Sequence, residues 1–278
     1  MKFKCGSVVL WLFCLMAVSV LAQSITDATG ATIKLPAEIK RIVAAVPSDA
    51  EMLFDLGLGD KLVGVNDWAA YPKEVLEIEK IGGSPINIEK IITLKPDIVL
   101  ANAGLVPKEI AMMRDLGLVV LAINPTDLSS TLESYLLVGK AFNIENTALT
   151  LVKSLEARQG KLKPLAKKPK VFVEIWHEPL MTAGKGSLWD SLIQTAGGEN
   201  IGAYAQGSYP VFNEEELIKQ NPDLILLTNY NLEEAQNRPV YASLKTKLLQ
   251  IDPSLFTYPT QRLWDGLEVL YEIFCQKQ

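Results

Sequence analysis

The stretch NIEKIITLKPDIVL, from Asn87 to Leu100, reads as a short helix, a turn and a buried strand, and it recurs later in the chain. The second copy begins at Asn213, at a constant offset of 126 residues. The matching positions are Asn87, Glu89, Ile92, Pro96, Asp97 and Leu100 in the first copy, and Asn213, Glu215, Ile218, Pro222, Asp223 and Leu226 in the second. Two unrelated segments of this length share about one identical position at average composition. The repeat therefore predicts one helix-turn-strand unit in each half of the chain.

Short apolar runs alternate with helical patterns around both copies. The predicted strands are RIVAAV (41–46), KLVGVND (61–67), DIVLANA (97–103), LVVLAIN (118–124), KVFVEIW (170–176), DLILLTN (223–229) and LFTYPT (255–260). Strands of this length that alternate with helices indicate parallel sheets covered on both faces. An N-terminal hairpin is predicted over Ser24–Leu35. The segment SDAEMLFDLGLG predicts a helix with Ser48 as N-cap and Glu51 at the capping-box position.

The segment between the two halves is helical in pattern from about Glu145 to Ala166. At 1.5 Å per residue, a helix of about 20 residues spans about 30 Å, the width of a small domain. We therefore expect an N-terminal α/β lobe at 23–143, a connecting helix at 144–168 and a C-terminal α/β lobe at 169–278.

The first 22 residues read as a signal peptide. Lys2 and Lys4 precede an apolar run, and cleavage is expected near Ala22/Gln23. The alternative is a membrane anchor, but the run is shorter than the roughly 20 residues that span a bilayer. Cleavage leaves Cys275 as the one cysteine, so we expect no internal disulfide and no cysteine to carry a lipid. A soluble periplasmic protein is the prediction.

Charge and motifs favour a binding protein over a catalyst. Loss of Lys2 and Lys4 leaves 25 basic against 32 acidic residues, a net charge of −7, which argues against nucleic acid or anionic lipid as partner. The segment GKGS at 184–187 lacks the first glycine of a P-loop, and no nucleophile elbow is present. His177 is the only histidine, which excludes a site of several imidazoles but leaves a carboxylate site for a hard cation open.

The duplicated glutamates, Glu89 and Glu215, have two interpretations. Pro96 and Pro222 end each helix, the aspartates turn the chain, and the apolar positions are core. A glutamate in the first helical turn interacts with the helix dipole, worth about 0.3–1 kcal/mol. A functional surface is the alternative.

Four segments in order carry a resemblance to a known family. They are DATGATIKLPAEIKRIVAAVPSDAEMLFDLGLGDKLVGVNDWAAYP (27–72), NIEKIITLKPDIVLA (87–101), VEIWHEPLMTAGKGSLWDSLIQTAGGENI (173–201) and RLWDGLEVL (262–270). The chain resembles the periplasmic binding proteins that feed ATP-driven importers for ferric siderophores, haem and cobalamin. The resemblance implies two doubly wound Rossmann-like α/β lobes linked by one long α-helix. It also implies that Glu89 and Glu215 dock into arginine pockets on the two permease subunits.

Ligands of doubly wound sheets bind outside the carboxyl ends of the strands, which in a two-lobed protein means the cleft between lobes. The candidate ligand-binding residues are Pro47, Ser48, Asp67, Trp68, Asn102 and Gly104 in the first lobe, and Trp176, His177, Met181, Thr182, Tyr209, Tyr230 and Thr260 to Arg262 in the second.

The resemblance assigns roles to some of them. Trp68 and Tyr209 match aromatic cleft positions of cobalamin-binding relatives, and Met181 matches a third such position. His177 is a candidate ligand of haem iron or cobalt, with a cleft-lining role as the alternative. Arg262 is expected either to pair with the ligand or to be solvated. Gly82-Gly83 departs from the cobalamin group, where another aromatic is expected.

The sequence thus predicts the periplasmic substrate-binding component of an ABC importer. We expect no intrinsic cofactor and no catalytic residue. The preferred ligand is a corrinoid such as cobalamin, with a ferric siderophore or haem as the alternative. An exported metal-cofactor enzyme on the same scaffold is the second alternative.

Overall fold

The computed structural model describes residues 23–228 and 232–276. The expected signal peptide and Tyr230 lie outside these ranges. None of the helices in the described ranges combines the length and the apolar character needed to cross a membrane.

The first half forms a hairpin and a parallel sheet. Its strands are β1 (Ser24–Thr26), β2 (Thr32–Lys34), β3 (Ile42–Ala44), β4 (Leu62–Val65), β5 (Ile98–Asn102) and β6 (Val120–Ile123). Its helices are α1 (Pro47–Asp55), α2 (Ile88–Thr93), α3 (Pro107–Asp115) and α4 (Leu128–Ala141). β1 and β2 pair antiparallel as predicted, and the other four strands form a parallel sheet in the order β4-β3-β5-β6.

The second half forms a mixed sheet in the order β11-β10-β7-β8, with β9 also paired to β7. Its strands are β7 (Lys170–His177), β8 (Leu180–Thr182), β9 (Glu199–Asn200), β10 (Leu224–Leu227) and β11 (Lys247–Gln250). Its helices, after α5 (Glu145–Gln159), are α6 (Leu188–Thr195), α7 (Glu214–Gln220), α8 (Leu232–Gln236), α9 (Pro239–Ala242) and α10 (Arg262–Cys275). β8 runs antiparallel to β7, whereas β9, β10 and β11 are parallel.

The connecting helix is shorter than predicted. α5 ends at Gln159 and is capped by Gly160, and 161–169 are not helical, so the expected helix at 144–168 is wrong in its second part. Glycine is the weakest ordinary helix former, and Pro164 cannot continue a helix because it lacks the amide proton. The 15 residues of α5 span about 22 Å.

Two further local predictions are wrong. The segment 255–260 is not a strand; β11 takes the place beside β10, and Pro259 lacks the amide proton that a strand inside a sheet needs. α1 begins at Pro47 rather than after Ser48, because proline suits the first helical position. Asp49, not Glu51, accepts the hydrogen bond from the Val46 amide.

The repeated unit has the same construction in both halves. The Asn87 side chain accepts a hydrogen bond from the Lys90 amide, and the Asn213 side chain accepts from the Glu215 and Glu216 amides. Two residues after the end of α2 and one after the end of α7, Lys95 and Asn221 have positive φ values of 47° and 46°. The repeat thus extends to backbone conformation at a position where the residue types differ.

The repeated aspartates connect neighbouring strands. Asp97 Oδ2 accepts hydrogen bonds from the Lys40 and Arg41 amides, each at 2.8 Å. Asp223 Oδ2 accepts one from the Lys170 amide at 2.8 Å. Each carboxylate therefore fixes the start of its own strand against the start of the adjacent strand, β3 or β7. This is a larger role than the turn predicted from sequence.

One apolar cluster joins the two sheets. Alternate residues such as Ile42 and Leu100 from the first sheet, and Val171 and Leu226 from the second, belong to the same buried cluster, together with Trp264 of α10. The opposite sheet faces contribute to two separate clusters. The lobes are therefore packed on a common core in addition to being linked by α5.

We expect Asp97→Ala to lower the free energy of unfolding by about 1–3 kcal/mol, because two backbone amides lose a charged acceptor. Asp223→Ala should cost less, since its carboxylate accepts one such bond. Urea unfolding monitored by circular dichroism measures both. Asp115→Ala, at an exposed position, is the control and should stay within about 0.5 kcal/mol of wild type. If Asp97→Ala were as stable as the control, Asp97 would not stabilise the pairing of β3 with β5.

Candidate ligand-binding cleft

A cavity of about 310 Å³ lies between the two halves of the chain. From the first half it is lined by the segments that follow β5 and β6; from the second, by the start of α6 and two loops. The lining residues are Asn102, Gly104, Leu105, Asn124, Pro125, Thr126, Gly186, Ser187, Leu188, Ser208, Tyr209, Thr257 and Pro259. None of these side chains is charged. The cavity is therefore suited to an uncharged, partly apolar ligand surface.

The strand-end rule found part of this lining. Asn102, Gly104 and Tyr209 were predicted, and Asn124 follows β6 just as Asn102 ends β5, so the same rule also selects it. The residues near 186–188 and 257–259 carried no signal of this kind. They reach the cavity through loop paths that strand positions do not determine.

Two amide side chains share the floor at Gly104. Asn102 is buried, and its Oδ1 accepts a hydrogen bond from the Gly104 amide at 2.9 Å. A Cβ atom on Gly104 would lie 2.8 Å from Asn124 Oδ1. Glycine at this position leaves room for both amides.

The register of β7 and β8 assembles an apolar wall in the second lobe. Trp176 lies directly opposite Met181, and Met181 lies opposite Val211 on the next extended segment. Residues directly opposite in antiparallel strands project from the same face. Tyr209, two residues before Val211, lines the cavity. We call these four residues the aromatic wall; three were predicted, and Val211 was missed.

Hydrogen bonds hold the wall in place. The Thr182 amide donates to the Pro210 carbonyl, and the Gly184 amide to the Ser208 carbonyl. The Trp176 indole Nε1 donates to the Glu178 carbonyl at 3.0 Å. The His177 ring lies 5.0 Å from the Trp176 ring, and the His177 carbonyl accepts a hydrogen bond from Arg238.

Trp68 stands at the end of β4 and is 61% exposed. Its indole lies over Gly83, where a Cβ atom would approach it to 3.1 Å. Asp67 accepts a hydrogen bond from the Gly82 amide and so fixes the two segments together. Gly82-Gly83 stands where another aromatic side chain was expected, and the Trp68 ring packs against Gly83 there. Trp68 is not among the residues that line the cavity.

The remaining predicted residues lie around this cleft without lining the cavity. Pro47 and Ser48 are buried at the carboxyl end of β3, and Thr182 is buried with its hydroxyl donating to the Val173 carbonyl. In the described ranges no group of three His, Cys, Asp or Glu side chains is placed to hold a metal ion.

Arg262 has partners within the protein. Its guanidinium lies over the Tyr71 ring at 4.5 Å from the centroid, and it approaches Glu51 Oε1 at 3.4 Å. Nη2 donates to Ser254 Oγ. The solvated alternative for Arg262 is therefore wrong, since this side chain connects the two halves of the chain.

Arg262 lies beside a network of buried hydrogen bonds between the two halves of the chain. The Thr260 hydroxyl donates to Glu51 Oε2 at 3.1 Å, and Gln261 Nε2 donates to Asp55 Oδ1 at 2.6 Å. The Gln261 amide donates to the Tyr135 hydroxyl, which in turn donates to Asp55. We call this set the interlobe contact.

Burial raises the pKa of both acids of this set. It raises the pKa of Glu51 to about 7, although Arg262 opposes the change. Burial likewise raises the pKa of Asp55, against hydrogen bonds from Tyr135 and Gln261.

Glu89 and Glu215 occupy matching exposed sites. Each lies in the first turn of its helix, and neither lines the cavity. Their charged neighbours are paired within the lobe: Lys90 with Glu79 at 2.6 Å, Glu214 with Arg238 at 3.5 Å and Glu216 with Lys219 at 3.4 Å. Within residues 23–228 and 232–276, neither Glu89 nor Glu215 has an ion-pair partner.

Comparison with known proteins gives consistent results. The family model described as periplasmic binding protein matches residues 42–247. An uncharacterised ABC transporter substrate-binding lipoprotein of Bacillus subtilis is 32% identical over 265 residues, covering 90% of this chain and 84% of that protein. A vitamin B12-binding protein of Vibrio cholerae is 26% identical over 283 residues, covering 95% of this chain and all of that protein.

Solved structures share the fold. The periplasmic vitamin B12-binding protein of Vibrio cholerae superposes with a TM-score of 0.71 at 26% identity, covering 86% of this chain and 99% of that one. A periplasmic haem-binding protein of Roseiflexus superposes with a TM-score of 0.74 at 21% identity, covering 86% and 98%. The two-lobed α/β fold class predicted from sequence is confirmed.

The interlobe contact predicts a pH dependence of stability. Because the pKa of Glu51 is about 7 in the folded chain against an ordinary 4.5, the folded state holds a proton that the unfolded state releases between these values. The free energy of unfolding should therefore fall as pH rises through this window. Glu51→Gln stays uncharged, so its loss of stability from about pH 5 to about pH 8 should be smaller.

Urea unfolding at several pH values measures this difference. Glu133→Gln, at an exposed position, is the control and should follow the wild-type profile. A Glu51→Gln profile parallel to wild type would show that Glu51 titrates normally.

Proposed function

The chain belongs to the periplasmic binding protein family, and we propose that it is the substrate-binding component of an ABC importer. In this proposal it captures a metal chelate, preferably a corrinoid such as cobalamin, in the cleft and delivers it to the permease. The relatives from Bacillus subtilis and Vibrio cholerae are a transporter binding lipoprotein and a vitamin B12-binding protein. The family therefore favours binding and transport over the exported-enzyme alternative.

The observation that carries the corrinoid assignment is the uncharged lining of the cavity beside the aromatic wall. A corrinoid presents apolar ring faces and neutral amide side chains, which match aromatic surfaces and the Asn102 and Asn124 amides. Haem carboxylates and anionic ferric chelates need a cation, but no charged side chain is among the described residues that line the cavity. Arg262 is held by Glu51, Ser254 and the Tyr71 ring.

Haem is the second candidate, and His177 is the residue that favours it. Its ring lies against Trp176 on the strand that carries the aromatic wall. Neutral imidazole is a common ligand of haem iron. A ferric siderophore is the third candidate ligand, and it belongs to the same class of transporter.

Export is part of the proposal. Periplasmic binding proteins act outside the cytoplasmic membrane, and residues 1–22 have the pattern of a cleaved leader. One relative is a lipoprotein, so lipid attachment is the alternative to the unanchored form that the sequence predicts. Mass spectrometry of the mature N-terminus distinguishes the two.

We expect purified protein to bind cyanocobalamin with a dissociation constant in the nanomolar to micromolar range, about −12 to −8 kcal/mol. Tyr209 lines the cavity, and Trp68 is an exposed ring just beyond the carboxyl end of β4, where ligands of such sheets bind. Because we expect the ligand to cover both rings, Tyr209→Ala and Trp68→Ala should each weaken binding by about 1–3 kcal/mol. Calorimetry measures affinity, and the part of the tryptophan fluorescence quenching that is lost in Trp68→Ala reports contact with Trp68. Tyr204→Ala, an exposed tyrosine outside the cavity lining, should bind as wild type.

Haem, a ferric catecholate and a ferric hydroxamate should be titrated in parallel. Clean binding of one of them, with no heat from any corrinoid, would replace the corrinoid assignment but keep the importer. Failure of every chelate with a normally folded protein would refute the proposed function.

We expect Glu89→Ala with Glu215→Ala to abolish uptake, because the unpaired carboxylates orient the protein on the permease. Ligand affinity should stay within about twofold, since neither residue lines the cavity. Uptake into cells lacking the native protein measures the first quantity and calorimetry the second. Glu133→Ala with Glu272→Ala removes the same charge from exposed positions elsewhere and should transport normally. Wild-type uptake by the Glu89/Glu215 variant would refute docking through these residues.

A further inference from the structure

Each exposed glutamate of the repeat is accompanied by an exposed isoleucine. Ile92 on α2 and Ile218 on α7 are both 42% exposed, and each follows its glutamate by three residues. Residues three apart on a helix are surface neighbours, with Cβ atoms about 5–6 Å apart. We call these pairs, Glu89 with Ile92 and Glu215 with Ile218, the Glu–Ile surfaces.

The duplication of the isoleucines is selective. Among the exposed large apolar side chains of the described ranges, only Ile92 and Ile218 are separated by the repeat offset of 126 residues. Packing of the two helices does not require them, because Ile91 and Leu217 supply the buried contacts. An exposed apolar side chain kept at the same place in both lobes points to a surface that another molecule covers.

We propose that Ile92 and Ile218 are docking residues, each of which enters an apolar recess on one of two like permease subunits. Two surfaces with the same chemistry fit a partner that presents two copies of one complementary site. Since the neighbouring charges are paired within each lobe, each surface offers one free carboxylate beside one apolar group. The partner site is therefore a recess bordered by a cation. This inference rests on the proposed function and adds the apolar half of the docking surface.

The two halves of each surface have different physical effects. Exposed charge pairs are screened by salt and contribute mainly to orientation and association rate. Burial of isoleucine does not depend on screening and contributes mainly to slow dissociation. Replacement of the isoleucines should therefore accelerate dissociation at low and at high salt alike.

The test compares three double variants of the full protein. Ile92→Ser with Ile218→Ser removes the apolar groups, and Ile92→Val with Ile218→Val keeps most of them. Met112→Ser with Leu149→Ser is the matched control, because these side chains are 54% and 42% exposed and lie outside the repeat. Binding to the importer complex of the same organism in lipid nanodiscs is measured by interferometry at two salt concentrations.

We expect the serine pair at 92 and 218 to dissociate about tenfold faster or more, the valine pair to stay within about threefold, and the control to match wild type. Thermal unfolding and cyanocobalamin affinity of the serine pair should be unchanged. Equal losses in the control would overturn the inference, because the effect would then not belong to these surfaces.

The glutamate variant separates this inference from the proposed function. Loss of docking by Glu89→Ala with Glu215→Ala, combined with wild-type dissociation of the serine pair, would overturn the role of the isoleucines and leave glutamate docking intact. If the glutamate double variant and the serine double variant both docked like wild type, the Glu–Ile surfaces would not be the docking site.

Discussion

A buried polar contact joins the two lobes between α1 and the segment before α10. Glu51 and Asp55 receive hydrogen bonds from Thr260 and Gln261, more than 200 residues away in sequence. The acids have raised pKa values because they are buried, so their bonding partners matter more than they would at the surface. Together with the shared apolar cluster, this contact packs the two lobes against each other.

In the second lobe, Arg238 connects the strand that carries part of the aromatic wall to helix α7. Arg238 bonds to Glu174 within β7, to the His177 carbonyl at the end of the same strand, and to Glu214 at the start of α7. β7 carries Trp176 of the aromatic wall, and α7 carries Glu215. The Arg238 guanidinium therefore links the strand that carries Trp176 to the helix that carries Glu215.

Local pattern predicted most of the architecture, and its failures have local causes. The repeat identified both α2–β5 and α7–β10, because capping asparagine, apolar spacing and strand composition all agree there. The strand expected at 255–260 failed because Pro259 lacks an amide proton and β11 pairs with β10 instead, and the long connecting helix failed at Gly160. Glu51 was interpreted as a capping residue because sequence separation hides its contact with Arg262.

The sequence by itself determined the two-lobed α/β fold, the strand ends that carry Asn102 and Trp176, and the duplicated Glu89 and Glu215. These features depend on the spacing of apolar residues within single segments, which can be recognised without knowing the contacts between distant segments. Only the tertiary structure decided that Val211 joins the aromatic wall, that Arg262 bonds to Glu51, and that Glu89 and Glu215 have no ion-pair partner in the described ranges. These facts depend on register and on pairing between distant segments, where a shift of one residue exchanges the buried and exposed faces of a strand.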